Sequence, residues 1–288
     1  MTADDAAPPT LHTRVESWEC DFNGHWNARY YGRSFQMACE NVAAAASGQN
    51  PGLAAIAVRH IRFHRELHVG AAVELRSARI ADGEHAGAVV HWLSSEGRLS
   101  ATALDFPGLG GERLPAASSE SAAVAFPRGL PASTRLSEDA SAATAYQAET
   151  GPVRPMELDH GGALLFEDVI RRVALSSHGQ LARLGFTGAF VKDSGVNRMV
   201  VETRVTPQGR CAPGKPLRVR SRLTAVAEKS FATRHRLETA EGETIALVEH
   251  TLVAVDLKSR RAVEVPAFLR DLGGAGGEDA RTPSNEES

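Results

Sequence analysis

Cysteine is scarce in this chain: Cys20, Cys39 and Cys211 are the only three in 288 residues. They are scattered, and no two stand in a Cys-x-x-Cys spacing, which argues against a disulfide framework and a structural zinc site. They read as small buried side chains. No apolar stretch is long enough to span a bilayer. Residues 1–10 carry Asp4 and Asp5 and no apolar run, so both parts of a secretory signal are missing there. The expectation is a cytoplasmic protein that stays off the membrane. The formal charge is only −3, which gives no overall pull toward nucleic acid. A Gly-rich phosphate loop, a Gly-x-Ser-x-Gly elbow and a Ser- or Cys-based triad motif are missing too. Any chemistry is then carboxylate chemistry, with no bound cofactor and no metal.

What is present is a hydrophobic content of 42% beside 23% charged residues, enough to bury a core in one large domain or two ordinary ones. The most informative stretch runs Asp21-Phe22-Asn23-Gly24-His25-Trp26-Asn27-Ala28-Arg29-Tyr30-Tyr31. It sets an acid, an amide and an imidazole on a tight turn that opens a helix. A helix start offers unpaired N–H groups and a positive dipole end, suited to an oxygen that gains negative charge. A carboxylate beside it can attack a carbonyl or activate water. The plain alternative is that Asp21 is a turn or cap residue and His25 a surface histidine.

The spacing Asp-x-Asn-x-His-x-Asn followed by Tyr resembles the signature of hot-dog-fold thioesterases of the 4-hydroxybenzoyl-CoA and acyl-ACP types. That resemblance implies Asp21 as the nucleophile or base, and Asn23 and His25 as a polar pair that orients acid, water or carbonyl. It also implies the Ala28 N–H as oxyanion donor and an acyl-CoA or acyl-ACP thioester as substrate. Tyr30 and Tyr31 could touch substrate, although helical spacing around them favours core packing.

The chain also reads as one unit written twice. Gly70 to Ser77 matches Gly214 to Ser221, and Glu19-Cys20-Asp21 matches Glu157-Leu158-Asp159. In the first unit a strand-like run at 15–20 precedes a helix over 27–47, with Tyr31, Phe35, Ala38, Val42 and Ala45 on its apolar side. Strands follow at 57–67, 72–80, 88–93 and 99–106. The second unit starts near Val153, with a helix over 162–184 and strands at 198–206, 217–227, 230–238 and 244–256. Strand, helix, then a run of strands describes an α+β fold, an antiparallel sheet over one long helix. The resemblance makes it two tandem hot-dog domains, 11–106 and 149–270, forming an internal pseudo-dimer. Residues 107–148, rich in Ala, Ser, Pro and Gly, read as a linker that crosses a surface without a core of its own, and 273–288 as a disordered tail.

At the second turn Asp159 keeps the acid, but His160-Gly161-Gly162 follows, resembling the phenylacetyl-CoA thioesterase pattern in which glycine N–H groups hold the thioester oxygen. The helix acid of that pattern would fall at Val169, whereas Glu167 and Asp168 precede it. Those two beside Arg171 and Arg172 match a solvated helix face with local ion pairs, and the second half reads mainly as a partner that shapes the cleft. Asp159, His160 and Gly161 are carried as substrate contacts.

Residues 59–68 alternate Arg59, Ile61 and Phe63 against His60, Arg62 and His64. His60 and His64 would lie ~13 Å apart, too far to share a metal ion. Arg62 and His64 could meet the phosphates of coenzyme A, or the segment is a charged edge strand kept soluble; both stay open. Trp18, Phe22, Trp26 and Trp92 are candidates for an apolar pocket. The rival functions are a hot-dog hydratase or dehydratase, whose usual Asp-x-Asn-Pro-x-His is not matched here, a non-catalytic acyl-CoA binder, and an acyl transferase. Whether several copies assemble is open.

Overall fold

The computed structural model describes residues 7–21, 24–48, 52 and 55–274. Its frame is a sheet of β1 (Pro9–Arg14), β2 (Val58–Phe63), β3 (Ala72–Ile80), β4 (Val89–Ser95), β5 (Arg98–Phe106), β6 (Ala116–Ala117), β7 (Tyr146–Pro152), β8 (Val196–Pro207), β9 (Pro216–Val226), β10 (Ser230–Thr239), β11 (Thr244–Asp256) and β12 (Arg261–Ala262). The order across it is β1-β3-β4-β5-β2-β8-β11-β10-β9-β7, with β6 beside β3 and β12 beside β11. All pairings are antiparallel except β3 with β6. The two halves of the sequence meet at β2 and β8, where Ile61 faces Thr203.

Two long helices lie against one face. The first, Ala28–Ser47, is opened by Asn27, whose side chain accepts the Arg29 N–H, and closed by Gly48 in the left-handed region that glycine tolerates. Tyr31, Phe35, Ala38 and Val42 are buried at helical spacing; Ala45, expected with them, is exposed. The second is Phe166–Leu184. It begins later than the expected residue 162 because Leu158 and Leu164 bridge first and close a turn. The helices cross closely at Gly32, where an added Cβ would stand 2.6 Å from Ile170 Cδ1. Gly32→Leu overpacks that crossing and is expected to cost about 1–3 kcal/mol, read as a lower melting temperature. Adding Ile170→Ala should recover much of the loss, and an additive double variant would contradict this account.

Several expectations are corrected. The run at 15–20 is not a strand: Ser17–Glu19 is a 3₁₀ turn in which the Glu16 N–H donates to the Glu19 carboxylate at 3.3 Å, and the strand lies earlier, in β1. The run at 57–67 stops at Phe63 because the N–H groups of His64 and Arg65 both donate to the Ser100 carbonyl, which bends the chain out of the ladder. Nor is β2 an edge strand, since it lies between β5 and β8.

Part of 107–148 packs into the core of the first half's sheet. The short helices Ser119–Ala122 and Ala123–Ala125 pack Ala122 and Ala125 on Ala78, Val90, Trp92 and Leu104 of the sheet's other face. Small alanines permit that close approach. At the other end Ala267–Gly274 is a helix, so 273–274 are ordered within it and the remainder of the expected tail lies outside the described residues. Among the described residues no helix is long and apolar enough to cross a membrane. Cys39 is buried as expected, whereas Cys20 and Cys211 are only half-buried.

Buried polar groups form two related layers. Ser77 Oγ meets His91 Nδ1 at 2.7 Å, and in the second half Ser221 Oγ meets His235 Nδ1 at 2.6 Å. Behind His91 stands Asp105, held by Arg59 at 2.7 and 2.6 Å. Behind His235 stands His250, ring to ring at 4.9 Å. Burial, then repulsion from His178, lowers His250 to about 4, and burial also pushes His235 well below its ordinary value. Burial and nearby arginines lower His60 to about 4 as well.

His60, His235 and His250 stay neutral when folded, while the unfolded chain takes up protons from pH 6.5 downward. Stability is therefore full above pH 6.5 and lost as pH falls from 6.5 toward 4. Melting curves recorded between those values should show a steep decline. His250→Gln should flatten it, and an unchanged slope would contradict the assignment.

Candidate active site

The turn at Asp21 is built by its own backbone. The Asp21 N–H donates to the His25 carbonyl at 2.8 Å and the Gly24 N–H to the Asp21 carbonyl at 3.0 Å. Gly24 supplies the left-handed residue, at φ 74°. The Asp21 carboxylate accepts the His25 N–H at 3.0 Å. Then the Trp26 N–H bonds Leu67 and the Asn27 N–H bonds Glu19, which fixes the helix entry. The Arg29 N–H is taken by the Asn27 side chain and the Tyr30 N–H by the Asn27 carbonyl. The Ala28 N–H, at the positive end of the helix, has no hydrogen-bond partner among the described residues.

His25 is held by two groups that the sequence reading did not bring to the site. Its Nδ1 lies 3.3 Å from Glu66 Oε1, and its ring meets His68 edge-on at 5.0 Å. Glu66 also binds Arg260, which comes from the second half. Arg260 sits at φ 56°, unusual for a non-glycine residue. Glu66 was visible as a charge next to His64, but its partner 194 positions away in the chain was not. Asn23 and Phe22 lie outside the described residues.

The second turn repeats the first at one constant offset, that between Asp21 and Asp159. The Asp159 N–H donates to Ala163 at 2.9 Å, the Gly162 N–H to Asp159 at 3.1 Å, and Gly162 has φ 80°. Asp159 Oδ1 accepts both the Gly161 N–H at 2.8 Å and the Ala163 N–H at 2.9 Å. Gly161, expected to hold a thioester oxygen, thus spends its N–H on its own turn. The Phe166 N–H, at the position of Ala28, is capped by Gln36 from the first helix at 3.1 Å. His160 is exposed.

Glu167 and Asp168 are not on a solvated face. Asp168 is buried and binds Arg171 at 3.0 Å, and Glu167 lies 3.7 Å from Arg29 on the other helix. Burial raises both carboxyls above their usual range. Arg172, 1% exposed, is used up on the carbonyls of Thr150, Gly151 and Pro152 and on Glu157.

The expectation that Arg62 meets phosphate is corrected by its surroundings. It is buried, donates to the carbonyls of Val124 and Phe126, and lies 3.3 Å from Glu202. His64 bonds Thr102 at 3.2 Å, and burial, then Arg62 and Arg128, lower it to about 4. Tyr31 is core, its hydroxyl accepting the Leu67 N–H. Tyr30 is half-buried between the guanidinium groups of Arg29 and Arg33. The tryptophans do not share a pocket: Trp18 is 73% exposed, Trp26 is buried against Tyr31, and Trp92 faces the other side of the sheet.

A helix start whose Ala28 N–H has no partner among the described residues, a carboxylate four residues before a positioned imidazole, and flanking apolar core lie together at this turn. Residues 15–107 and 153–272, well over half of the chain, match the family model described as the thioesterase-like superfamily, and the chain belongs to that family. Its fold is accordingly the hot-dog thioesterase fold, a mostly antiparallel sheet with helices packed on it.

A crystal structure of a Lactobacillus plantarum protein assigned as an oleoyl thioesterase matches 88% of this chain and 98% of its own length, with a TM-score of 0.56 at 14% identity. The 12:0-ACP thioesterase of Umbellularia californica matches 85% and 93%, with a TM-score of 0.54 at 12% identity. In sequence, the L-carnitine dehydrogenase/betainyl-CoA thioesterase of Agrobacterium fabrum is 34% identical over 80 residues, 27% of this chain and 16% of that protein. The chain thus spans less than a fifth of that relative's length.

Proposed function

We propose that this chain is a thioester hydrolase that acts on an acyl-CoA or acyl-ACP, as two tandem hot-dog units, 11–106 and 149–270, joined by 107–148. Symmetry of contact supports the tandem reading. Gly32 meets Ile170 and Arg29 meets Glu167, each residue touching its own counterpart at the offset between the two turns. Such self-pairing is what a two-fold axis between like units produces.

One observation supports placing the site in the first half: among the described residues the Ala28 N–H has no partner, next to Asp21 and His25, whereas its counterpart on Phe166 is occupied by Gln36. In the reaction, the thioester carbonyl accepts the Ala28 N–H, and its oxygen gains negative charge as the carbon becomes tetrahedral. Asp21 either attacks that carbon or removes a proton from the attacking water, and His25, steadied by Glu66, orients the reacting groups. The thiolate leaves as the carbonyl re-forms; on the route where Asp21 attacks, water then opens the mixed anhydride left on Asp21 and returns the carboxylate. The oxyanion contact is worth on the order of 3 kcal/mol at the transition state.

The test is release of free thiol from a panel of short, long, branched and aromatic acyl-CoAs and from an acyl-ACP. Release identifies a hydrolase and its acyl class. No release from any of them by folded protein would overturn the reading, and a binding isotherm without release would make it a non-catalytic acyl carrier site.

A further inference from the structure

The seam between the two halves opens at one end. β2 and β8 pair only from Arg59 with Val205 to Arg62 with Glu202, and then β2 bends away at His64 and Arg65. Had the ladder run on, its register would have set Glu66 across from Arg198. Instead, residues 196–201 of β8 have no strand beside them on that side among the described residues. The Arg198 N–H donates to Asn197 Oδ1, its own neighbour, at 2.9 Å. The candidate site borders this gap. Glu66, which holds His25, also binds Arg260. Arg260 stands in the turn after Asp256, and Asp256 pairs with Val196, the neighbour of Arg198 on its face of β8.

Arg198 is out of keeping with its surroundings. Val196 and Val200 pack on the core at the end of the second helix, so alternation turns Arg198 to the same face, the one that carries both long helices. Its guanidinium lies 5.6 Å from the ring of Phe186, in a group of rings completed by Phe190 and Phe268. It is half-buried, and among the described residues its side chain makes one hydrogen bond, to Asn197 Oδ1 at 2.9 Å, and no ion pair. Burial pushes it below its ordinary value, and no carboxylate opposes that. The buried Arg59 and Arg172, by contrast, each hold a carboxylate. A half-buried cation without a counter-charge costs stability that a bound anion would recover.

We propose that Arg198 receives a carboxylate at the far end of the acyl group, so that this chain prefers thioesters of dicarboxylic acids. The proposal deepens the thioesterase reading above and rests on it. A guanidinium takes a carboxylate through paired, parallel N–H bonds, and a lone cation balances a single negative charge. The phosphates of coenzyme A carry several charges and stay in water, whereas Arg198 lies among aromatic rings, in surroundings suited to the end of an acyl group. A neutral acyl chain entering the same gap would strip water from the guanidinium and offer it nothing, which penalises that substrate.

The experiment compares thiol release from succinyl-, glutaryl- and adipyl-CoA with that from butyryl-, valeryl- and hexanoyl-CoA, matched in carbon number. The full chain is used as wild type, Arg198→Met and Arg198→Lys. Calorimetry with glutarate, the acid that hydrolysis of glutaryl-CoA would leave, reads the same contact without turnover. Wild type should favour the dicarboxylic member of each pair in kcat/KM by about tenfold or more. Arg198→Met should lose that preference and the binding of glutarate, and melt no lower than wild type, since it removes an unpaired charge. Arg198→Lys, which keeps the charge without the planar fork, should keep part of the preference.

Hydrolysis by wild type with no preference within the pairs would overturn the proposal and leave the hydrolase, whatever the variants do. A preference that survives in Arg198→Met would overturn it as well, because Arg198 would then meet the carrier's phosphates or nothing. Glutarate binding that depends on Arg198, without thiol release from any thioester, would keep the carboxylate site and end the hydrolase. Neither release nor binding would end both.

Discussion

Asp21→Asn is expected to lower turnover of acyl thioesters by about a thousandfold, within the range general-base or nucleophilic carboxylates supply, with a melting temperature close to wild type. The separation of the two effects follows from geometry. An amide oxygen at this position can still accept the His25 N–H now held at 3.0 Å, so the turn survives, but it carries no charge with which to attack or to take a proton. Asp159→Asn is the matched control. Its amide oxygen can still accept from Gly161 and Ala163, and turnover should be unchanged. Thiol release by both variants and wild type, with thermal melts alongside, decides the matter. Wild-type turnover in Asp21→Asn would sink the assignment, and a loss confined to Asp159→Asn would move the site to the second half.

Asp105→Ala should produce the largest loss of stability, about 3–5 kcal/mol, or roughly 10 °C in melting temperature. Asp105 and Arg59 are both fully buried and joined by two hydrogen bonds. Burial by itself would push the Asp105 carboxyl up. Arg59, through its charge and both bonds, together with His91, outweighs that and holds it well below the usual carboxylate range. Removing the acid strands a guanidinium where water cannot reach it.

The damage would spread across the molecule, because the Arg59 guanidinium also lies 4.3 Å from the ring of Phe166, at the start of the second helix. Replacing both partners, Arg59→Met with Asp105→Leu, leaves no unpaired charge and should cost much less than Asp105→Ala. Thermal unfolding compares them. Equal losses in the single and double variants would show that packing, rather than the stranded charge, sets the cost.

The elements legible in the sequence were those with strong local signals. The strand over 72–80 and that over 244–256 stand where alternation and glycine turns put them, and Asn27 and Gly48 bound the first helix by cap chemistry that acts within a few residues. The repeat was legible because both copies keep the Glu-x-Asp turn. Less legible were segments whose state depends on distant groups. Residues 107–148 look like a linker in composition, yet their alanines become core because a sheet face lies within reach. Glu167 and Asp168 have the sequence of a solvated face, yet Asp168 is buried and Glu167 half-buried, with Arg29 of the other helix beside Glu167.

The sequence by itself determined the chemistry available at the turn: an acid, an imidazole and a helix start, all within eight residues, since capping and turn formation are local interactions. Only the tertiary structure decided which copy of that turn keeps an N–H to offer. Gln36 reaches the Phe166 N–H from 130 positions away, Arg260 reaches Glu66 from 194 positions away, and β2 lies inside the sheet because β8 pairs with it. Contacts of that range depend on how the two halves dock, and no periodicity or spacing within either half encodes them.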